Sequence, residues 1–169
     1  MTRTNLRFNV WVNDLRAIPA RTLSSGHLRV PENQGADTQE VRRGRSFDFY
    51  YNDEDKSYLE SVEDGVVVVF NKWLEYHMPI EQIDRKNQKI ISTRMGGRVI
   101  EGDDAYYLEG GRITLDQPGE WYLDRNEDKL YYYPLEGETE IVATVPSLIS
   151  VLRICSLHSW FPPHLPIYK

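Results

Sequence analysis

Three carboxylates, Asp116, Glu120 and Asp124, recur at every fourth position of a segment that also carries Trp121, Tyr122, Tyr131, Tyr132 and Tyr133 (115–134, LDQPGEWYLDRNEDKLYYYP). Two carboxyl groups flanking an acetal bond can cleave it, provided one is held protonated by its surroundings. Structural roles also suit these residues. Asp116 would cap a turn, Glu120 would pair with a lysine or arginine, and Asp124 would open a hairpin loop. The local pattern favours the structural roles, so no catalytic residue is assigned. The aromatic side chains carry the stronger binding signal, because the C–H faces of sugar rings stack on Trp and Tyr. Tyr122, Tyr131 and Tyr133 are the candidates here, with His77, which follows Trp73 and Tyr76, as a further one.

No other constellation carries chemistry. His27, His77, His158 and His164 stand in no metal-ligand spacing with cysteine or carboxylate. Asp53–Asp55 and Asp103-Asp104 lack the ligand spacing of a calcium loop. Met95-Gly96-Gly97 and Glu109-Gly110-Gly111 read as turns and not as phosphate loops. The single cysteine, Cys155, lies in an apolar run and reads as a small buried hydrophobe. No metal and no cofactor are expected.

The elements that position these residues are strands. Tyrosine-rich sequence punctuated by Gly and Pro favours β-structure. With Arg125–Asp128 as the loop, Asp124 faces Lys129, Leu123 faces Leu130, Tyr122 faces Tyr131, Trp121 faces Tyr132 and Glu120 faces Tyr133. Trp121, Leu123, Leu130 and Tyr132 then share one apolar face, and Glu120, Tyr122, Tyr131 and Tyr133 share the other. One face belongs to a core, and the second must meet another domain or a ligand.

Upstream, Leu6, Phe8, Val10 and Val12 alternate as a first strand, Asn13-Asp14 turns it, and Leu15–Arg21 follows as a second. Thr22–Arg45 reads as a long loop and Phe47–Tyr51 as a short strand. Tyr58–Asp64 has room for one helical turn. Gly65–Phe70 (GVVVVF) reads as a strand buried on both faces. Ile80–Ile83 and Lys89–Met95 read as strands joined by a turn over Asp84–Gln88. Ala105–Leu108 and Ile113–Leu115 read as further strands. Glu138–Val145 alternates, Pro146 marks a boundary, and Ser147–Ile154 is strand-like.

Composition narrows the partners. A net charge of −6 and a single short basic run, Arg42–Arg45, exclude a nucleic-acid backbone. No apolar stretch is long enough to span a membrane, and Met1–Arg7 has no signal-peptide core.

Several of these segments resemble a family of large bacterial carbohydrate-active proteins built on a right-handed parallel β-helix, with a β-rich domain inserted near the N-terminus. Trp11-Val12-Asn13 and Ala20-Arg21 resemble its "VNG…AR" opening, with Asp14 in the usual glycine's place. Val66–Phe70 with Trp73 resembles its "VVVF…W" strand, and Ile80–Asp84 its "I..ID" segment. Tyr106–Glu109, then Leu115-Asp116-Gln117-Pro118-Gly119-Glu120-Trp121-Tyr122-Leu123-Asp124, then Leu130–Pro134 ("LYYYP"), form the most specific part. Val145-Pro146 and Leu148–Ile154 resemble the junction with the β-helix.

The resemblance covers about residues 6–154. It points to glycoside hydrolases such as glycoside hydrolase family 141, with pectate-lyase-like (pectin-lyase-like) enzymes more distant. It implies an all-β fold: an antiparallel β-sandwich-like inserted domain (5–146), the start of a truncated right-handed parallel β-helix (147–157), and an irregular tail (158–169). The family's catalytic carboxylates lie on β-helix coils without counterpart here. The chain alone is therefore expected to be inactive, a fragment of a secreted, periplasmic or cell-surface parent. Its partner is a glycan or the parent β-helix, with the tyrosine face packed on that helix as the favoured alternative. A stand-alone carbohydrate-binding or adhesion module is the other reading.

Overall fold

The computed structural model describes residues 9–33, 41–42, 45–60, 62, 65–94, 96–124, 129–138, 140–145 and 148–153. The first strand's start at Leu6 and Phe8, the Arg125–Asp128 loop, Pro146, Cys155, His158, His164 and the 158–169 tail lie outside them. The regular secondary structure of the described residues is almost wholly β, and the chain divides into two compact units, Met1–Pro19 with Leu115–Lys169, and Ala20–Thr114.

The first unit begins with β1 (Asn9–Val12), whose alternation buries Val10 and Val12. Asn13 and Asp14 both adopt positive φ, 45° and 65°. That is the backbone a tight hairpin turn needs, and Asn and Asp tolerate it. The next strand is not continuous over Leu15–Arg21 as expected. It breaks at Ala17, whose N–H donates to the Val10 carbonyl at 2.9 Å. β2 (Leu15–Arg16) pairs with β1 before the break. β3 (Ile18–Pro19) lies parallel to the aromatic hairpin after it. Pro19 is tolerated because β3 is an edge strand.

The second unit is built on a six-stranded antiparallel sheet. In chain order its strands are β4 (Leu28–Arg29), β7 (Asp48–Tyr50), β8 (Val66–Asn71), β9 (Leu74–Asp84), β10 (Lys89–Ser92) and β11 (Ala105–Glu109). A two-stranded ribbon, β5 (Val41–Arg42) with β6 (Arg45–Ser46), precedes β7. The stretch expected as one loop, Thr22–Arg45, therefore contains pairing residues too short to show a period. Val67, Val68 and Val69 of β8 are fully buried, as a run apolar on both faces requires. One sheet face packs a core of Leu28, Phe49, Val67, Val69, Met78, Ile80, Tyr106 and Leu108.

Three expectations are corrected here. The helical turn is α1 (Lys56–Leu59), entered through a 3-10 turn at Asp53–Asp55, earlier than Tyr58–Asp64. Arg112–Thr114 forms a 3-10 turn where Ile113–Leu115 was expected as a strand. β9 begins at Leu74, because backbone pairing with β8 carries it through polar residues and Pro79.

The first unit closes with the hairpin β12 (Glu120–Asp124) and β13 (Lys129–Tyr132), then β14 (Glu140–Val145) and β15 (Leu148–Arg153). β14 returns beside β1, with Asn9 opposite Thr144. β15 pairs antiparallel with β14, with Val145 opposite Leu148, so 148–153 forms a hairpin arm where a parallel coil was expected. Trp121, Leu130 and Tyr132 join Val10, Val12 and Ala17 in this unit's core, with Leu123 against it.

Candidate functional site

The hairpin register is the one its alternation predicts: Trp121 opposite Tyr132, Tyr122 opposite Tyr131, Leu123 opposite Leu130, Asp124 opposite Lys129. The Tyr133 N–H donates to the Glu120 carbonyl at 2.9 Å and so continues it. The turn before β12 has Pro118 followed by Gly119 at φ 89°, and the Glu120 N–H closes it on the Gln117 carbonyl at 3.3 Å. Proline fixes the second position of such a turn, and glycine supplies the positive φ of the third.

Glu120 is 4% exposed, and its Oε2 accepts the N–H groups of Asp116 (3.3 Å) and Gln117 (3.2 Å). The carboxylate capping this turn is thus Glu120, while Asp116 is exposed. Tyr122 and Tyr131 are 9% and 3% exposed and stack at 6.0 Å with 17° between their planes. An open platform for a sugar ring needs accessible faces, and these rings are buried and matched to each other. Tyr133 and Asp124 are half-buried. His77 lies on β9, in the other unit.

A second group of residues lies on the sheet face opposite the core of the second unit. The register aligns Tyr107, Val68 and His77 in one row across β11, β8 and β9. Ala105, Phe70 and Glu75 form the row on one side of it, and Glu109, Val66 and Pro79 the row on the other. Tyr106, Leu108, Val67, Val69, Met78 and Ile80 alternate with these into the core.

The aromatic part packs as one T-shaped and one tilted ring pair. His27 meets Phe70 at 4.9 Å and 74°, and Phe70 meets Tyr107 at 5.8 Å. The Arg21 guanidinium lies 4.3 Å from the centre of the Tyr107 ring. Arg21 is held there by hydrogen bonds from Nε to the Leu23 carbonyl (3.0 Å) and from Nη2 to the Gly26 carbonyl (2.8 Å).

The polar part is graded in exposure. His77 Nε2 lies 2.6 Å from Glu75 Oε1, and their side chains are 38% and 49% exposed. Glu109 is more enclosed, and the Tyr107 hydroxyl reaches its Oε1 at only 3.4 Å. Burial raises the Glu109 pKa, against the opposing pull of His77 and the Tyr107 hydroxyl. Burial and the neighbouring Glu109 push Tyr107 up to about 12. The result is a half-buried carboxyl with a raised pKa, beside the exposed Glu75–His77 pair. Such a surface can donate and accept hydrogen bonds with a hydroxyl-rich ligand.

Of this group the sequence singled out His77 alone. Tyr107 and Glu109 do alternate within Tyr106–Glu109. Joining them to Glu75 and His77 requires knowing that β8 lies between β9 and β11, and its four valines look alike from either face.

The comparisons with known proteins fit this architecture. Residues 97–135, which run through β11 and the aromatic hairpin, match the family model described as the GH141 insertion domain. A solved structure named "Glycoside hydrolase" is similar at a TM-score of 0.59 and 22% sequence identity, over 78% of this chain and 24% of that one. No curated protein matches. The chain thus spans about a quarter of the length of the glycoside hydrolase whose fold it shares.

Proposed function

We propose that this chain is an accessory β-domain of a glycoside-hydrolase-type protein, one that helps shape a glycan-facing surface and leaves bond cleavage to residues elsewhere. The observation carrying this reading is the match of residues 97–135 to an insertion-domain model. The matched stretch contains both Tyr107 and Glu109 of the outer sheet face and the whole hairpin. The structural role of Glu120 supports the same reading, since a carboxylate engaged by two backbone N–H groups is poorly placed to act as acid or nucleophile. The resemblance over residues 6–154 supports a parent built on a right-handed parallel β-helix as part of this proposal.

The test is a deletion. A longer glycoside hydrolase carrying this domain is compared with a version in which the domain is replaced by a short linker. The expected result is a folded protein whose kcat/KM on polymeric glycan falls at least about tenfold, or about 1.4 kcal/mol of transition-state stabilisation. An unchanged kcat/KM overturns the reading.

A further inference from the structure

We infer that Trp73, at the tip of the β8–β9 hairpin, is a stacking platform for one pyranose ring of a glycan chain. The inference rests on the accessory-domain reading and gives that domain a contact residue. Trp73 is 90% exposed, against 40% for Trp11 and 9% for Trp121. A tryptophan left in water forgoes the burial that holds most indoles inside a fold. Both faces of this indole are open, which the buried and mutually stacked rings of Tyr122 and Tyr131 do not offer. An open indole face is what the C–H face of a sugar ring requires.

The tip is held in place. Asn71 lies opposite Leu74, so Lys72 and Trp73 are the two residues of the turn. Lys72 has φ 55°, a conformation that two-residue hairpin turns ordinarily give to Gly, Asn or Asp. Asn71 is 1% exposed and anchors the turn, its Nδ2 donating to the Val99 carbonyl at 2.8 Å and to Asp104 Oδ2 at 2.6 Å. The Lys72 ammonium is drawn to Glu101 Oε2 at 3.5 Å. The turn is thus tied to the 99–104 segment through both residues that precede the indole. An aromatic side chain on a fixed backbone gives up little freedom when a ligand settles on it.

The surroundings decide between a sugar and a protein partner. The Lys72 and Glu101 side chains are 43% and 54% exposed, and that of Glu75, two residues beyond Trp73, is 49% exposed. The centre of a protein interface is depleted in Lys, Glu and Asp, and a stable one takes about 800 Å² from each partner. One tryptophan supplies about 150–250 Å², to which the half-exposed Leu74 adds a little. That apolar area is too small for a protein partner and suits a single sugar ring. The charged groups beside it can donate and accept hydrogen bonds with the hydroxyls at the ring's rim.

The experiment is titration of the full 169-residue chain with xylotetraose, cellotetraose, mannotetraose, galactotetraose and tetragalacturonate. Binding is followed by calorimetry, and tryptophan accessibility by acrylamide quenching of fluorescence. At least one of these saccharides is expected to bind saturably and to reduce the quenching. Trp73→Ala is expected to weaken that binding at least about tenfold, with the melting temperature unchanged because so exposed a side chain supports no core. Trp73→Tyr, which keeps an aromatic face, is expected to bind within about threefold of the parent. Ile113→Ala serves as the unaffected control, since this exposed residue follows the end of β11 that lies opposite Val66, away from the tip. Three results would each overturn the inference: none of the five saccharides binds, Trp73→Ala binds like the parent, or sedimentation shows the chain to be a dimer that Trp73→Ala disperses. The deletion experiment on the longer hydrolase is independent of all three, so failure of the platform and failure of the accessory role are distinguishable.

Discussion

Tyr106 donates its hydroxyl to Asp55 Oδ2 at 2.8 Å inside the core of the second unit, joining β11 to the short helical segment before β8. Burial raises the pKa of Asp55, outweighing the hydrogen bond from Tyr106. Glu109 and Asp104 are raised in the same way, with burial as the leading cause. A carboxyl with a raised folded pKa adds stability that is fully present below its unfolded value and is lost as pH rises through the folded one. Those unfolded values are 3.8 for Asp and 4.5 for Glu. Asp53 and Asp84 are shifted downward and have the opposite sign, but both are fully solvent-screened.

Thermal melting from about pH 7 down to about pH 5 is therefore expected to show a stability that holds or rises. Asp55→Asn should flatten the profile. A parent melting temperature that falls steadily over this range, with the same slope in the variant, would refute the assignment.

Trp121→Ala is expected to cost about 3–5 kcal/mol, enough to unfold much of the first unit. The indole Nε1 has no hydrogen-bond partner among the described residues, so the loss is one of packing. Trp121→Phe should accordingly cost far less. Denaturant midpoints of the two variants measure the difference, and equal midpoints would contradict the packing account.

Gly119→Ala isolates a backbone effect. A Cβ at this position would meet nothing closer than Leu135 Cδ1 at 3.5 Å, an ordinary contact, yet φ is 89°. The expected cost is about 1–2 kcal/mol of conformational strain. A loss under a few tenths in urea unfolding would mean the turn readily relaxes to another type.

Glu120→Ala separates structure from catalysis. Removing the acceptor for the Asp116 and Gln117 N–H groups should destabilise the hairpin turn by about 1–3 kcal/mol. Reducing-sugar release is expected from neither parent nor variant. Turnover by the parent chain that disappears in this variant would show Glu120 to be a catalytic group after all.

The hairpin was legible because its evidence is local. Alternation on both arms of a short loop fixes the register, and Trp121, Leu123, Leu130 and Tyr132 declare their face by type alone. The outer face of the second unit was not legible in this way. Glu75 and Glu109 are far apart in sequence and belong together only because β8 runs between their strands. β9 was read too short because Glu75, His77 and Pro79 interrupt the apolar period, while its backbone pairing continues unbroken from Asn71–Leu74 to Val66–Pro79. The residues that obscured the strand are the ones in its outer rows, opposite Phe70, Val68 and Val66.

The second unit is stapled where the chain enters and leaves it. Gly110 N–H donates to the Ala20 carbonyl, the backbones of Arg21 and Glu109 pair as a single antiparallel bridge, and Thr22 N–H donates to the Leu108 carbonyl at 2.9 Å. A segment whose two ends are already side by side can be gained, lost or exchanged between chains as one piece. It is also mechanically sheltered. Tension applied across the paired strands β1 and β14 would pass the staple by, so 20–114 would stay folded while those flanking strands bore the load.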